Sequence, residues 1–259
     1  MTPAANLGVL GAATRRLLST VEGLTDDQAR EPSRLPGWNR AEVLTHLARN
    51  ADGTRRMVQA AARGEIAAQY PGGPEERAKE IEAGRDATAA ESRADVWRSH
   101  DAMMEAWRAL PDDAWERVGR AISGDRSMRE VLWSRVREIE LHHVDLDMGY
   151  EPTDWPVGFV AGALDDIFGT FGRRASSGRP LIDAGFRVVS TDHERAWHVA
   201  LRGTHVDIEP VPGDEPDGEA RGWGCDLVAW LYGRDPQAAG IIVSGDASVL
   251  RLPQWFPFA

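Results

Sequence analysis

The sequence predicts an α+β protein, with a helical bundle over residues 1–175 and a small α+β domain over residues 181–259. Capped helical segments fill the first part. A break rich in small residues, glycine and proline follows from Ala175 to Pro180 and is typical of a linker. After the break, short strand-like segments alternate with short helices, so each part is expected to be a domain of ordinary size.

Capping signals indicate where the helices of the first part begin. A hydroxyl or amide residue is followed three residues later by Glu or Gln at Thr25–Gln28, Asn39–Glu42 and Ser127–Glu130. The predicted long helices run from Asn39 to Gly64, through "ESRADVWRSHDAMMEAWRAL" to the residue before Pro111, from Ser127 to Gly149, and through "PVGFVAGALDDIFGTFGRR" from Pro156. Four long helices joined in this way favour an antiparallel bundle.

The second part shows the alternating pattern of strands. The predicted strands are "GFRVVST", "AWHVALR", "HVDIEPV" and "GIIVSGD". "EPDGEARGWG" is interpreted as a turn-rich loop, "CDLVAWLYGR" as a short helix and "SVLRLPQWF" as a closing helix.

Composition restricts the partners. The formal net charge of −11 disfavours nucleic acid and anionic membrane surfaces, which both require basic patches. Cys225 is the one cysteine, so an intramolecular disulfide is impossible, and no signal pattern or run of transmembrane length is seen. We therefore expect a cytoplasmic protein with a small-molecule substrate, and a monomer or a homodimer remains open.

The helix after Ser127 carries the residues with the clearest chemical meaning. Glu138 and His142 lie four positions apart, so their side chains share one helix face and could hold a metal ion from the same side, with Asp145 one turn further on. A separate apolar stripe is expected to face the bundle: Leu132, Val136, Ile139, His143 and Leu146.

A metal site needs a third protein ligand, and His46 is the best candidate. It lies in the middle of the predicted helix that begins at Asn39, near the apolar seam of that helix, and bundle cores commonly hold metals between facing helices. The alternatives remain open at this point: Glu138 and His142 could form a surface ion pair, and His46 and His143 could be packed core histidines.

Two motifs resemble those of a known family. "LPGWNRAEVLTHLARNADG" and "VREIELHHVDLDMGY" are similar to the helix motifs of the mycothiol-dependent maleylpyruvate isomerases, within the DinB/YfiT-like metalloenzymes, and "YPGGPEERAKEIEAG" resembles a family loop between helices. The resemblance implies a DinB-like four-helix bundle that binds a divalent metal, usually zinc, through His46, Glu138 and His142. It also implies a cleft closed by the C-terminal domain, which contributes a catalytic arginine; the position that matches is Arg234.

The resemblance further implies mycothiol, a low-molecular-weight thiol of actinobacteria, as cofactor. The expected reaction is the isomerisation of maleylpyruvate to fumarylpyruvate by reversible addition of a metal-activated thiolate. Arg77 and Asn50 are the expected substrate-binding residues, and Asp145 is expected to orient a ligand. Two alternatives remain: a mycothiol S-transferase acting on another electrophile, and a non-catalytic metal- or thiol-binding regulator.

Overall fold

The computed structural model describes residues 3–171, 182–203, 205–209, 215–235 and 237–257. The expected linker Ala175–Pro180 lies outside these residues, as does the end of the predicted strand "HVDIEPV". The chain divides into two compact units, Met1–Tyr150 and Glu151–Ala259. The sequence predicts a division between residues 175 and 181, whereas the structure divides the chain after Tyr150, so the helix that follows Pro156 belongs to the second unit.

The first unit is helical. Its long helices are α1 (Pro3–Thr20), α3 (Arg40–Ala62), α5 (Ala89–Arg108) and α6 (Met128–Asp145), with the short α2 (Asp26–Arg30) and α4 (Gly73–Glu82) between them. Helix α3 packs against α5 and α6, and α1 packs against α6 and α5. The fourth long helix of this unit is thus α1 and not the segment after Pro156. The stretch interpreted as a loop, "YPGGPEERAKEIEAG", contains α4.

The helix starts follow the local signals in the sequence. Reciprocal capping boxes are present at the three predicted pairs, which begin α2, α3 and α6, and a further one joins Thr88 and Glu91 at the start of α5. The predicted apolar stripe of α6 is buried throughout, from Leu132 to Leu146. Burial of this stripe fixes the rotation of α6, and therefore which way Glu138 and His142 point.

A short hairpin braces one side of α3. Strands β1 (Val118–Ala121) and β2 (Gly124–Ser127) are antiparallel, and Arg120 exchanges backbone hydrogen bonds with Ala67 and Gln69. The Gln69 backbone passes so close to α3 that a Cβ atom at Gly53 would lie 2.8 Å from the Gln69 carbonyl oxygen. Gly53 therefore permits the approach that brings the following residue, Tyr70, beside α3.

The second unit combines helices with a mixed sheet, so the α+β prediction is confirmed. Its described helices are α7 (Val157–Phe171), α8 (Gly224–Leu231) and α9 (Leu252–Trp255), and its strands are β3 (Ala184–Ser190), β4 (Arg195–Arg202), β5 (His205–Glu209), β6 (Gly218–Gly222) and β7 (Ile242–Gly245). The strand order is β5-β4-β3-β6-β7, with β3 and β6 parallel and the other pairs antiparallel. Strand β6 lies within the segment interpreted as a loop.

Candidate metal centre

The first unit brings three potential ligands together. His46 is on α3, and Glu138 and His142 are one turn apart on α6. The His46 Nε2 atom lies 3.0 Å from His142 Nε2 and 3.1 Å from Glu138 Oε2, and the last two atoms are 3.5 Å apart. Among the described residues these are the side chains whose donor atoms converge in the manner of a metal site.

The spacing of these atoms fits a tetrahedral ion. Ligands bound to zinc at about 2.0–2.2 Å are separated from one another by about 3.3–3.6 Å in tetrahedral geometry. The three measured separations fall within a few tenths of an ångström of that range. Two imidazoles and one carboxylate are also a donor set of catalytic zinc sites, in which three protein ligands leave one position for another molecule. The residues present therefore fit zinc.

The ionisation states favour a cation. Burial lowers the pKa of His46 to about 4, and the neighbouring His142 adds to this effect, so His46 is neutral. Burial would raise the pKa of Glu138, but hydrogen bonds from His142 and His46 outweigh it and hold the pKa well below its usual range. Glu138 therefore contributes a half-buried negative charge that contacts both imidazoles.

Asp145 orients His142. Its carboxylate oxygen Oδ2 lies 2.8 Å from His142 Nδ1, and the Asp145 side chain is buried. Burial lowers the pKa of His142, but the hydrogen bonds to Asp145 and Glu138 outweigh it and raise the pKa above its ordinary value. The contact keeps the Nδ1 proton in place and directs Nε2 toward the other ligands, as in carboxylate–histidine–metal arrangements. Metal binding must displace any proton on Nε2.

Arg77, on α4, reaches the other face of His46. Its Nη2 atom lies 3.0 Å from His46 Nδ1, and its guanidinium lies 5.5 Å from the centre of the Tyr70 ring. A guanidinium only donates hydrogen bonds, so Nδ1 accepts here and the ring proton is on Nε2. A neutral histidine that binds a metal through Nε2 carries its proton on Nδ1, so metal binding and this Arg77 contact exclude one another.

Asn50 lies on α3, one turn after His46, but it is buried and engaged within the unit. Its Oδ1 atom accepts a hydrogen bond of 2.9 Å from Nη1 of Arg135 on α6. Burial lowers the pKa of Arg135 to about 10, and the negative charge of the nearby Glu138 opposes the shift. Sequence reasoning did not single out Arg135 or Tyr70, since neither stands at a recognisable ligand spacing.

Arg234 belongs to the second unit, directly after α8. Gly233 adopts a positive φ of 73°, and the backbone N–H groups of Gly233 and Arg234 bond to the carbonyl oxygens of Trp230 and Ala229. This is a Schellman ending, in which a left-handed glycine lets the chain leave the helix sharply. The Arg234 Nη1 atom also donates to the Tyr232 carbonyl oxygen at 2.9 Å.

His143 is separate from the ligand cluster. It is buried, its ring stacks on Tyr150 with centroids 3.7 Å apart, and its Nε2 atom lies 2.7 Å from the Thr20 hydroxyl. It therefore packs α6 against α1, in agreement with its place on the apolar stripe. Cys225 lies at the start of α8, where burial raises the pKa of its thiol, so it is not an activated thiolate.

The fold and the site together define an α+β protein whose helical unit carries a cluster of two histidines and one carboxylate. A family model described as the mycothiol maleylpyruvate isomerase N-terminal domain matches residues 10–147. This match spans more than half of the chain, which therefore belongs to the mycothiol maleylpyruvate isomerase family of enzymes.

Solved structures share the fold of the whole chain. A crystal structure of the mycothiol-dependent maleylpyruvate isomerase aligns with a TM-score of 0.79 and a histidine-to-alanine mutant of it with 0.78. Each is 21% identical, and each alignment covers 95% of this chain and 95% of that chain. A search of curated proteins finds no match. Within the described residues no helix is both long enough and apolar enough to cross a bilayer.

Proposed function

We propose that this protein is a zinc- and mycothiol-dependent isomerase that converts maleylpyruvate to fumarylpyruvate. The observation that carries the proposal is the convergence of His46, Glu138 and His142 in a member of this enzyme family. When bound here, zinc would lower the pKa of a coordinated thiol, and mycothiol would supply the nucleophile whose reversible addition to the cis double bond would allow the central bond to rotate.

The chain's own residues have distinct parts in this proposal. His46, Glu138 and His142 hold the metal, and Asp145 keeps His142 in the tautomer that presents Nε2. Arg234 is the proposed catalytic arginine, which binds a substrate carboxylate and stabilises the enolate that forms during addition. Arg77 is a proposed substrate-binding residue, because metal binding would release its guanidinium from His46 Nδ1 and leave it beside the site to bind a ligand.

Asn50 is also proposed to contribute to substrate binding. Its Oδ1 atom accepts a hydrogen bond from Arg135, which fixes the orientation of the side-chain amide, and its N–H groups are proposed to donate to a ligand. The proposed partners are thus a small anionic substrate and a low-molecular-weight thiol, in the cytoplasm, with the protein a monomer or a homodimer and without nucleic acid or membrane partners.

The decisive experiment follows maleylpyruvate with zinc-loaded protein in the presence and absence of mycothiol. We expect thiol-dependent formation of fumarylpyruvate by the unmodified protein and none by His46→Ala. His143→Ala is the matched control, since it removes a buried histidine outside the cluster, and it should retain conversion. Zinc bound near one per chain without conversion would refute the isomerase assignment and favour a mycothiol S-transferase acting on another electrophile.

A further inference from the structure

A polar pocket lies beside the cluster of His46, Glu138 and His142, and its lining residues all belong to the first unit. Its volume is about 220 Å³, and it is formed by α3, the segment after Gln69 and the start of α4. The residues that matter most in its lining are Arg49, Arg55, Arg56, Tyr70 and Arg77. Arg77 lies between the pocket and His46, whose Nδ1 atom is 3.0 Å from Arg77 Nη2, and metal binding at His46 Nε2 would release the guanidinium from this contact.

Acidic neighbours offset the arginines of the pocket to different extents. Four arginines and the three carboxylates of Asp52, Glu76 and Glu80 line it, and Asp52 pairs with both Arg49 and Arg55. Arg49 is neutralised by Asp95, whose two oxygens both lie 2.7 Å from Arg49 Nη2. In the described parts of the chain no carboxylate pairs with Arg77, whose charge is therefore available to a ligand.

Several hydrogen-bond donors around the pocket are buried without an acceptor. In the described structure these atoms are Nε of Arg49, Arg55 and Arg77 and the hydroxyl oxygen of Tyr70. Burial raises the pKa of Tyr70, so its hydroxyl stays protonated and can donate. Buried polar groups are costly unless they are hydrogen-bonded, so donors gathered around one pocket indicate a ligand that brings acceptors.

Arg135 strengthens the positive potential from behind the pocket. It is buried, and its Nε and Nη2 atoms have no hydrogen-bond partner among the described residues. It interacts electrostatically with Tyr70 and Asp52, both of which line the pocket. A buried cation in a low-dielectric surrounding attracts an anion over several ångströms.

We propose that this pocket is a carboxylate-binding subsite, in which Arg77, Tyr70 and Arg55 bind one end of a small anionic substrate. A carboxylate supplies two oxygens that match the guanidinium and phenol donors. The subsite is additional to Arg234, so it selects substrates that carry a negative charge at a second position. The inference rests on the proposed function for the identity of the substrate, but not for the presence of the subsite.

The test uses succinate, an unreactive four-carbon dicarboxylate, and its neutral diamide succinamide as probes in calorimetric titrations of the zinc-loaded protein. We expect Tyr70→Phe and Arg55→Gln each to weaken succinate binding by about tenfold, the usual effect of removing one hydrogen bond to a charged group. Neither residue contacts the ligand cluster in the described structure, so the zinc content should not change. Tyr70→Phe removes a single oxygen atom and keeps the ring, so we expect this variant to fold normally, and its loss of binding can be attributed to the missing hydroxyl.

Arg63→Gln is the matched control. Arg63 caps the C-terminus of α3, the helix that carries Arg55, and it pairs with Glu65 on the surface, outside the pocket. Its succinate affinity should equal that of the unmodified protein. The inference is overturned if succinamide binds as tightly as succinate, or if both pocket variants bind succinate as well as the control does. If succinate binding is weakened by the pocket substitutions but the protein does not convert maleylpyruvate, the proposed reaction is refuted and the subsite is supported.

Discussion

Replacement of Asp145 by asparagine tests whether Asp145 orients His142 for metal binding. Asp145 is buried, and its Oδ2 atom accepts a hydrogen bond from His142 Nδ1, the ring nitrogen that points away from the cluster. The two atoms are 2.8 Å apart. Asparagine has nearly the same shape, but it carries no charge and its amide can present a donor instead of an acceptor. We expect the zinc affinity to fall by 10- to 100-fold, the usual cost of losing such a partner, or about 1.4–2.8 kcal/mol.

The pH dependence of this loss follows from the pKa of His142. Asp145 helps to raise that pKa, so the substitution lowers it and weakens the competition between protons and the metal. This gain partly offsets the loss near neutral pH. At alkaline pH, where His142 is neutral in both proteins, the full loss should be measured.

The assay is a competitive zinc titration against a fluorescent chelator, with circular dichroism to confirm the fold. Asp147→Asn is the control, because Asp147 undergoes the same chemical change two residues later and pairs with Arg34 at the surface. Equal zinc affinities for Asp145→Asn and the unmodified protein at alkaline pH would refute the orienting role of Asp145.

Four further predictions concern single side chains. His46→Ala should lower bound zinc from about one per chain to nearly none by elemental analysis; full stoichiometry would exclude His46 as a ligand. His143→Ala should keep zinc but lose about 3 kcal/mol of unfolding free energy in urea, since it leaves a cavity beside Tyr150. Arg234→Ala should retain zinc and reduce turnover at least tenfold; unchanged turnover would place the catalytic arginine elsewhere. Burial lowers the pKa of His100 from 6.5 to about 4, so the unfolded chain takes up the proton first and stability is lost as pH falls through this window. The unfolding free energy of His100→Gln relative to the unmodified protein should therefore rise by about 3 kcal/mol between pH 7 and pH 4.

The elements that sequence reasoning placed correctly have local causes. A capping box is complete within four residues, so Asn39–Glu42 and Ser127–Glu130 could be identified without knowledge of the fold. The same holds for the face of α6, because its apolar stripe sets the rotation of the helix and so the direction of Glu138 and His142. The spacing within α6 thus predicted that these two side chains share one face.

The elements that sequence reasoning missed depend on segments that lie far away in the chain. Strand β6 is rich in glycine and charge, and it exists because it pairs with β3, with Gly218 opposite Phe186. Helix α1 carries no capping signal that marked it, and the segment after Pro156 shows the same periodicity whichever unit it packs in. A periodic pattern reveals that a helix has an apolar face, but it does not identify what covers that face.

Contacts inside the candidate site could not be predicted from sequence patterns either. Contact between Arg77 and His46 joins positions 31 apart, and the bond between Arg135 and Asn50 joins positions 85 apart. No spacing rule relates such residues. The family resemblance led us to expect Arg77 and Asn50 as substrate-binding residues, which stays a prediction, whereas no feature of the sequence pointed to Arg135, which bonds to Asn50 from the facing helix.

The clustered side chains of the candidate metal centre come from helices that are far apart in the chain, so a bound metal would affect the stability of the fold. His46 and Glu138 are separated by 92 positions, so an ion bound to both would cross-link α3 to α6 in the folded state alone. Binding restricted to the folded state adds about 2.7 kcal/mol to stability at a free metal concentration 100 times the dissociation constant. If the proposed site binds zinc, the melting temperature of the protein would report the zinc supply, and a cell short of zinc would hold the protein in a form that is more easily unfolded and degraded.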